Sequence, residues 1–295
     1  MVACARLLSS LNQDDTALAA RAWLGRLTLE LASTAHGTQL ERSRHEGPLR
    51  VQRVLRPEGV ECPHIYLLHP PGGVVGGDRL ETRVELGPRA SVLLTTPAAQ
   101  KLYRSAGAAA RIDNVLRLGE GARLEWLPSE TLAFSAAQAT STTRVELAAG
   151  AAFIGWEIAC YGMPARGERF AEGRIISRFE LYRGEAPLLV EAVDLAGGAD
   201  TLTGAFALRG RPVVASLYAV PGEGRIDSAL VDAVRATLRE SDATSCAVSS
   251  LEEVLVVRAL GHQVEQVRQQ LIGAWQVLRP ALLARPAVLP RVWST

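Results

Sequence analysis

Period-two alternation constrains the fold of this chain more than any other feature. Leu27, Leu29 and Leu31 alternate with Thr28 and Glu30, and Leu80, Thr82, Val84 and Leu86 alternate with Glu81, Arg83 and Glu85. Ile112, Leu116 and Leu118 keep one phase, as do Leu124 with Trp126 and Val145 with Leu147. Successive side chains of a strand point to opposite faces, so the pattern predicts half-buried strands through the first two-thirds of the chain. Ile65–Leu68, Val92–Leu94 and Leu188–Val190 are short all-apolar runs, expected as strands buried on both faces. A weak repeat joins the strands. Leu86-Gly-Pro-Arg-Ala90-Ser-Val92 is echoed by Leu118-Gly-Glu-Gly-Ala122-Arg-Leu124 and by Leu147-Ala-Ala-Gly-Ala151-Ala-Phe153. Its alanines fall about 30 residues apart, a spacing that fits stacked β-coils or a layered sandwich. Glycine turns between strands are also common in any β fold.

Two segments switch to helical period. Ile226–Arg239 puts Ile226, Leu230, Val234 and Leu238 on one stripe, with Asp227 as a candidate cap. His262–Leu278 puts Val264, Val267, Leu271, Trp275 and Leu278 on another, and Pro280 is expected to stop it. Val254–Val257 between them reads as a buried strand. The Pro- and Arg-rich stretch Leu278–Trp293 is expected to lie extended on a surface.

Composition excludes several classes. Lys plus Arg number 32 against 31 for Asp plus Glu, which gives no electrostatic ground for binding nucleic acid or a membrane surface. Cys4, Cys62, Cys160 and Cys246 form no CxxC pair and read as reduced cytosolic thiols. No apolar run approaches a membrane span, and Arg6 with Asp14 and Asp15 argues against a leader. Residues 1–22 are expected to be a loosely ordered tail and residues 23–295 one domain.

The stretch His69-Pro-Pro-Gly-Gly-Val-Val-Gly-Gly-Asp78 follows an apolar run, as a phosphate loop does. However, Gly77 is followed by Asp78 and an alternating strand, not by Lys-Ser/Thr opening a helix, and a carboxylate there repels phosphate. A β-corner shaped by its glycines fits better. Thr95–Ser105 gathers hydroxyls, a lysine, a tyrosine and an arginine but shows no Ser-x-x-Lys or Gly-x-Ser-x-Gly nucleophile arrangement.

Six short motifs in order, GGVVGGD, TTPAAQKLYRS, LEWLPSET, GWEI, PARGERFAEG and the terminal LRP–LLARPAVLPRVW, resemble the UreD (UreH) family of urease accessory proteins from about Trp23 to Trp293. Gln100 and Met163 depart from residues common in that family. The resemblance implies a mostly-β fold, a distorted right-handed β-helix with a few helices mainly in the C-terminal third. It implies a cytoplasmic accessory protein and not an enzyme. Such a protein binds apo-urease and a UreF-type accessory protein, reaches a UreG-type nickel GTPase through the complex, and forms a dimeric assembly through those partners. It holds no tight cofactor. Ni²⁺ passes through it in transit to the urease active site.

A conduit needs weak oxygen or nitrogen ligands at intervals, because thiolate sites trap the ion. Asp78, Glu157, Glu168 and Glu191 lie in or beside apolar or glycine-rich segments and are candidate channel carboxylates. Each is alternatively a surface acid or the partner of an arginine such as Arg104 or Arg166. Thr95, Thr96 and Tyr103 supply neutral oxygens. Cys62 and His64 form a candidate metal pair that needs a partner subunit to close it, or they are structural. Arg166 and Arg169 are candidate docking residues. Two rival functions remain: a structural adaptor with no metal path, and a hydrolase using the Thr95–Ser105 loop.

Overall fold

The computed structural model describes residues 22–294; Cys4 and all but the last residue of the expected tail lie outside the described residues. The Leu–turn–Ala repeat marks the corners of a β-solenoid. Strands β5 (Arg79–Leu86), β8 (Ala110–Leu118), β11 (Ala137–Leu147) and β14 (Gly173–Arg183) stack in parallel on one wall. After each of the first three the chain turns a corner and enters a second parallel wall, β6 (Ser91–Thr95), β9 (Arg123–Leu127) and β12 (Ala152–Met163). Leu86, Leu118 and Leu147 stack before the corner, and Val92, Leu124 and Phe153 after it. Ala90, Ala122 and Ala151 are fully buried, and backbone bonds from Arg123 N–H to Ala90 O and from Ala152 N–H to Ala122 O stack one corner on the next. A short third wall, β7 (Gln100–Leu102), β10 (Thr131–Ala133) and the end of β12, closes each coil.

Further strands finish the walls. The first wall gains β1 (Leu24–Thr34) and β2 (Gly37–Glu46) at one side and β15 (Ala186–Ala196) at the other, giving the order β15-β14-β11-β8-β5-β1-β2. The second gains β3 (Arg50–Leu55) and β4 (His64–Leu68), and beyond β12 it gains β16 (Val213–Val220), β18 (Val254–Gly261) and β17 (Thr244–Leu251). Of these, β1 and β4 join parallel to β5 and β6, and the others antiparallel to their neighbours. The two-residue strand β13 (Glu168–Arg169) hangs on the end of β12. No helix among the described residues is long and apolar enough to cross a membrane.

The two outer faces differ in kind. Outward positions of the first wall carry a lattice of ion pairs: Glu81 with Arg26 and Arg79, Arg117 with Glu85 and Glu146, and Arg144 with Glu146 and Glu180. The outer face of the second wall is apolar. Ile154, Trp156, Ile158, Ala215, Leu217 and Val257 are buried there under α2 (Ser228–Thr237) and α3 (Val264–Leu283), which follow a short α1 (Ala199–Thr203). Asp227 caps α2 as expected, its carboxylate accepting from Ala229 N–H at 3.1 Å.

Three expectations need correction. Pro280 does not stop α3, which runs on to Leu283. Proline in a last turn forfeits one backbone bond, and burial of Leu278, Arg279 and Leu283 around it holds that turn. The terminal segment is accordingly not extended throughout: a 3₁₀ turn at Arg291–Ser294 seats the Trp293 ring 5.2 Å from Trp156 and 5.7 Å from Trp275. Leu188–Val190 is not buried on both faces, because β15 is the edge of its sheet and Val190 is 43% exposed.

Candidate functional site

The inward face of the first wall carries a polar row among apolar residues, beside the serines Ser141 and Ser177. Thr82 pairs with Asn114, Asn114 with Thr143, Thr143 with Phe179 and Phe179 with Glu191. Asn114 Nδ2 donates to Thr143 Oγ1 at 3.2 Å, which leaves the Thr143 hydroxyl proton free to donate onward. Thr143 faces the same cavity as Glu157, on β12 of the facing wall, and favours the ionised form of its carboxyl. Glu157 in turn heads a row on the second wall, pairing with Ser216, which pairs with Arg258. Glu191 closes the circuit: one carboxylate oxygen accepts from Tyr218 O–H at 2.7 Å and the other from Arg258. Polar side chains inside a β core are retained where they are satisfied as a connected set.

These rows line a cavity of about 210 Å³ between the walls, with Thr82, Asn114, Ser141, Thr143, Ser177 and Glu157 among its surfaces. Glu157 lines this cavity and keeps part of its area accessible. Burial pushes the Glu157 carboxyl up to about 7, and Glu191 adds to the rise, while the Thr143 hydroxyl partly offsets it. Burial, with Glu157 nearby, also pushes the Tyr161 phenol up to about 12 and Tyr218 further still, so both stay protonated donors.

The other candidate residues sit elsewhere. Asp78 locks the glycine corner: its oxygens accept from Trp23 N–H at 2.9 Å and Val75 N–H at 3.0 Å. A Cβ on Gly76 would fall 2.1 Å from Ser105 Oγ and 2.5 Å from Ala108 O, and Gly77 has φ +90°, so the glycines allow one coil to touch the next. Thr95 Oγ1 donates to Leu127 O at 2.6 Å and accepts from Trp293 Nε1 at 3.2 Å. Thr96 accepts from Ser129 N–H at 2.8 Å, and Ser105 donates to Ala108 O. The hydroxyls of the Thr95–Ser105 loop thus bond the backbone of neighbouring turns. Tyr103 stacks on Phe134 at 5.2 Å, and Arg104 is exposed beside it. Glu168 is exposed in a surface groove of about 810 Å³ with Arg169, Leu202, Pro212 and His262, and Arg166 is exposed in the adjoining 3₁₀ turn.

Cys62 and His64 belong to a buried cluster the sequence reading missed. His64 Nε2 lies 2.6 Å from Glu58 Oε1, and its Nδ1 has no partner. Arg279, fully buried, donates to both Glu58 oxygens at 2.7 and 2.8 Å and to both Glu125 oxygens at 3.0 and 2.9 Å. Trp275 Nε1 adds a bond to Glu125 at 2.7 Å. Burial alone would lower the Arg279 pKa, but its two carboxylates outweigh that and hold it above the usual range. Burial, followed by Glu125 and Glu58, pushes the Cys62 thiol up to about 12, so it is no thiolate at neutral pH. Cys62, Cys160 and Cys246 are all free thiols. Among the described residues no three His, Cys, Asp or Glu side chains converge in a metal-binding group.

Sequence reasoning also missed Asn114, Thr143, Tyr218 and Arg258. The available signal was polarity out of phase: Asn114 falls between Ile112 and Leu116 at an inward position, and Arg258 shares the inward face of β18 with Val254 and Val256.

A sequence profile of the family described as UreD urease accessory protein matches residues 24–294. Curated relatives named urease accessory protein UreD include one from Pseudomonas fluorescens, 43% identical over 281 residues, covering 95% of this chain and 98% of the relative. One from Alcanivorax borkumensis is 40% identical over 279 residues, 93% of each. One from Nostoc punctiforme is 39% identical over 275 residues, covering 93% and 97%.

Proposed function

We propose, from the premise that this chain belongs to the UreD family of urease accessory proteins, that it conducts Ni²⁺ as cargo along its interior polar row toward the active site of apo-urease. Membership itself supports a role in urease maturation. The finer reading rests on one observation above all, the row Thr82–Asn114–Thr143–Glu157 along a cavity inside the solenoid.

These residues supply amide, hydroxyl and carboxylate oxygens spaced by successive strands. Hard or borderline cations exchange quickly among such ligands, whereas thiolates would hold nickel fast. The carboxylate of Glu157 is the strongest electrostatic attraction on the row. Ionised, it favours a divalent cation over the neutral oxygens before it; protonated, it is a hydrogen-bond donor that holds none. The chain works in the cytoplasm beside apo-urease, a UreF-type partner and, through that partner, a UreG-type GTPase. The groove with Glu168 and Arg169 and the adjoining Arg166 form its docking surface.

The test is Glu157→Gln in cells expressing urease with all its accessory proteins at limiting nickel. We expect several-fold less nickel in purified urease and a matching loss of activity, with the accessory complex still co-purifying. Wild-type nickel content at limiting nickel would overturn the conduit and leave a structural adaptor.

A further inference from the structure

The interior row does not stop at Glu157. It passes the stacked rings of Phe179 and Tyr218, 3.9 Å apart at 11°, and reaches Glu191 on β15. There an arginine occupies a position where the β-sheet pattern calls for an apolar residue. Arg258 points inward from β18, in line with Val254 and Val256, both buried. Its guanidinium crosses from the second wall to the first and pairs with Glu191. The pair sits at the rim: the Arg258 side chain is 49% exposed and that of Glu191 26%.

We propose that Arg258 is a tethered counter-cation that closes the outer end of the row, and that a divalent cation enters or leaves by displacing its guanidinium from Glu191. The inference rests on the reading that the row carries a cation. Glu157 and Glu191 lie near enough to repel, and Tyr218 donates a hydrogen bond but no charge. Without Arg258 the Glu191 carboxylate at the rim would face the interior carboxylate of Glu157 with no guanidinium on it. A guanidinium stays charged at every physiological pH, so the plug does not titrate away. A half-exposed ion pair is weak, so a divalent ion of higher charge density can exchange for it. The buried Arg279, held by two carboxylates, has no such freedom. The chemistry also supplies a selectivity: a monovalent ion of the same charge as the guanidinium gains nothing by replacing it, whereas a divalent ion does.

The experiment titrates Ni²⁺ alone into the full-length chain by calorimetry, for the wild type, Arg258→Gln, Arg258→Met and the double variant Arg258→Gln/Glu191→Gln. We expect both single variants to bind Ni²⁺ about two- to fivefold more tightly than the wild type, the scale of one half-exposed ion pair. The double variant should return to the wild-type affinity. Wild-type isotherms from both single variants would overturn the plug, as would a gain that survives in the double variant. Urease activation plays no part in this readout. A gain in affinity from Arg258→Gln alongside full urease activation by Glu157→Gln would retain the exchange site and discard the conduit.

Discussion

Arginine–glutamate pairs hold both outer faces of this solenoid, yet the two faces use them in opposite ways. On the first wall Arg117 lies between Glu85 and Glu146 with its side chain 55% exposed, one pair among many in a lattice. Under α3, Arg279 is fully buried and bridges Glu58 and Glu125. Water screens the lattice, and each pair is redundant with its neighbours. The cluster under α3 is buried, and removing any member strands a charge away from solvent. Position, not residue type, decides which pair the fold depends on.

The largest effect should come from breaking the buried side. Arg279→Ala is expected to lower stability by about 3–5 kcal/mol, the range for an orphaned buried charge, read by denaturant unfolding. Replacing Glu58, Glu125 and Arg279 together by apolar residues of similar volume should recover most of that loss. If the triple variant is as unstable as the single one, then packing and not the stranded charge explains the dependence.

An intermediate effect should come from Glu157, a buried carboxylate with no arginine on it. Its folded pKa of about 7 lies above the usual 4.5. The folded state therefore binds more protons than the unfolded state between those values, and stability contributed by this group declines as pH rises from about 4.5 through about 7. Glu157→Gln should abolish that slope and stabilise the protein at pH 8 by up to about 3 kcal/mol, at about 1.36 kcal/mol per pKa unit. Thermal melts at pH 5 and pH 8 measure it; an unchanged gap between the two would mean that Glu157 is solvated.

The smallest effect belongs to the lattice. Arg117→Ala should shift stability by less than about 1 kcal/mol and the difference should shrink further at high salt. A larger, salt-insensitive loss would mean that the lattice is as essential as the buried cluster.

The contrast also explains what the sequence made legible. Alternation located the strands of the first wall, since a face that meets water must be polar. The Leu–turn–Ala echo located the corners, since stacked corners bury small residues at Ala90, Ala122 and Ala151. The resemblance carried the family. The buried polar groups were hidden because their partners come from distant parts of the chain: Glu125 meets Arg279 across 154 positions and Glu58 meets it across 221. Asn114 and Thr143 are 29 positions apart and become neighbours only once the coil closes. Glu157 and Glu191 were picked out by their apolar surroundings. Asp78, chosen on the same ground, is instead held by backbone donors at a corner, which no local pattern distinguishes from a cavity.

The distance along the chain from Glu125 to Arg279 has a consequence for the order in which the protein is made. At about 5–20 residues per second, a ribosome needs roughly 8–30 seconds to travel from the codon of one to that of the other. Coils that stack as they emerge hold Glu125 with neither its arginine nor Trp275 during that interval, and the apolar face meant for α3 has no cover. The newborn solenoid is thus sealed late, by a segment made long after the coils it covers.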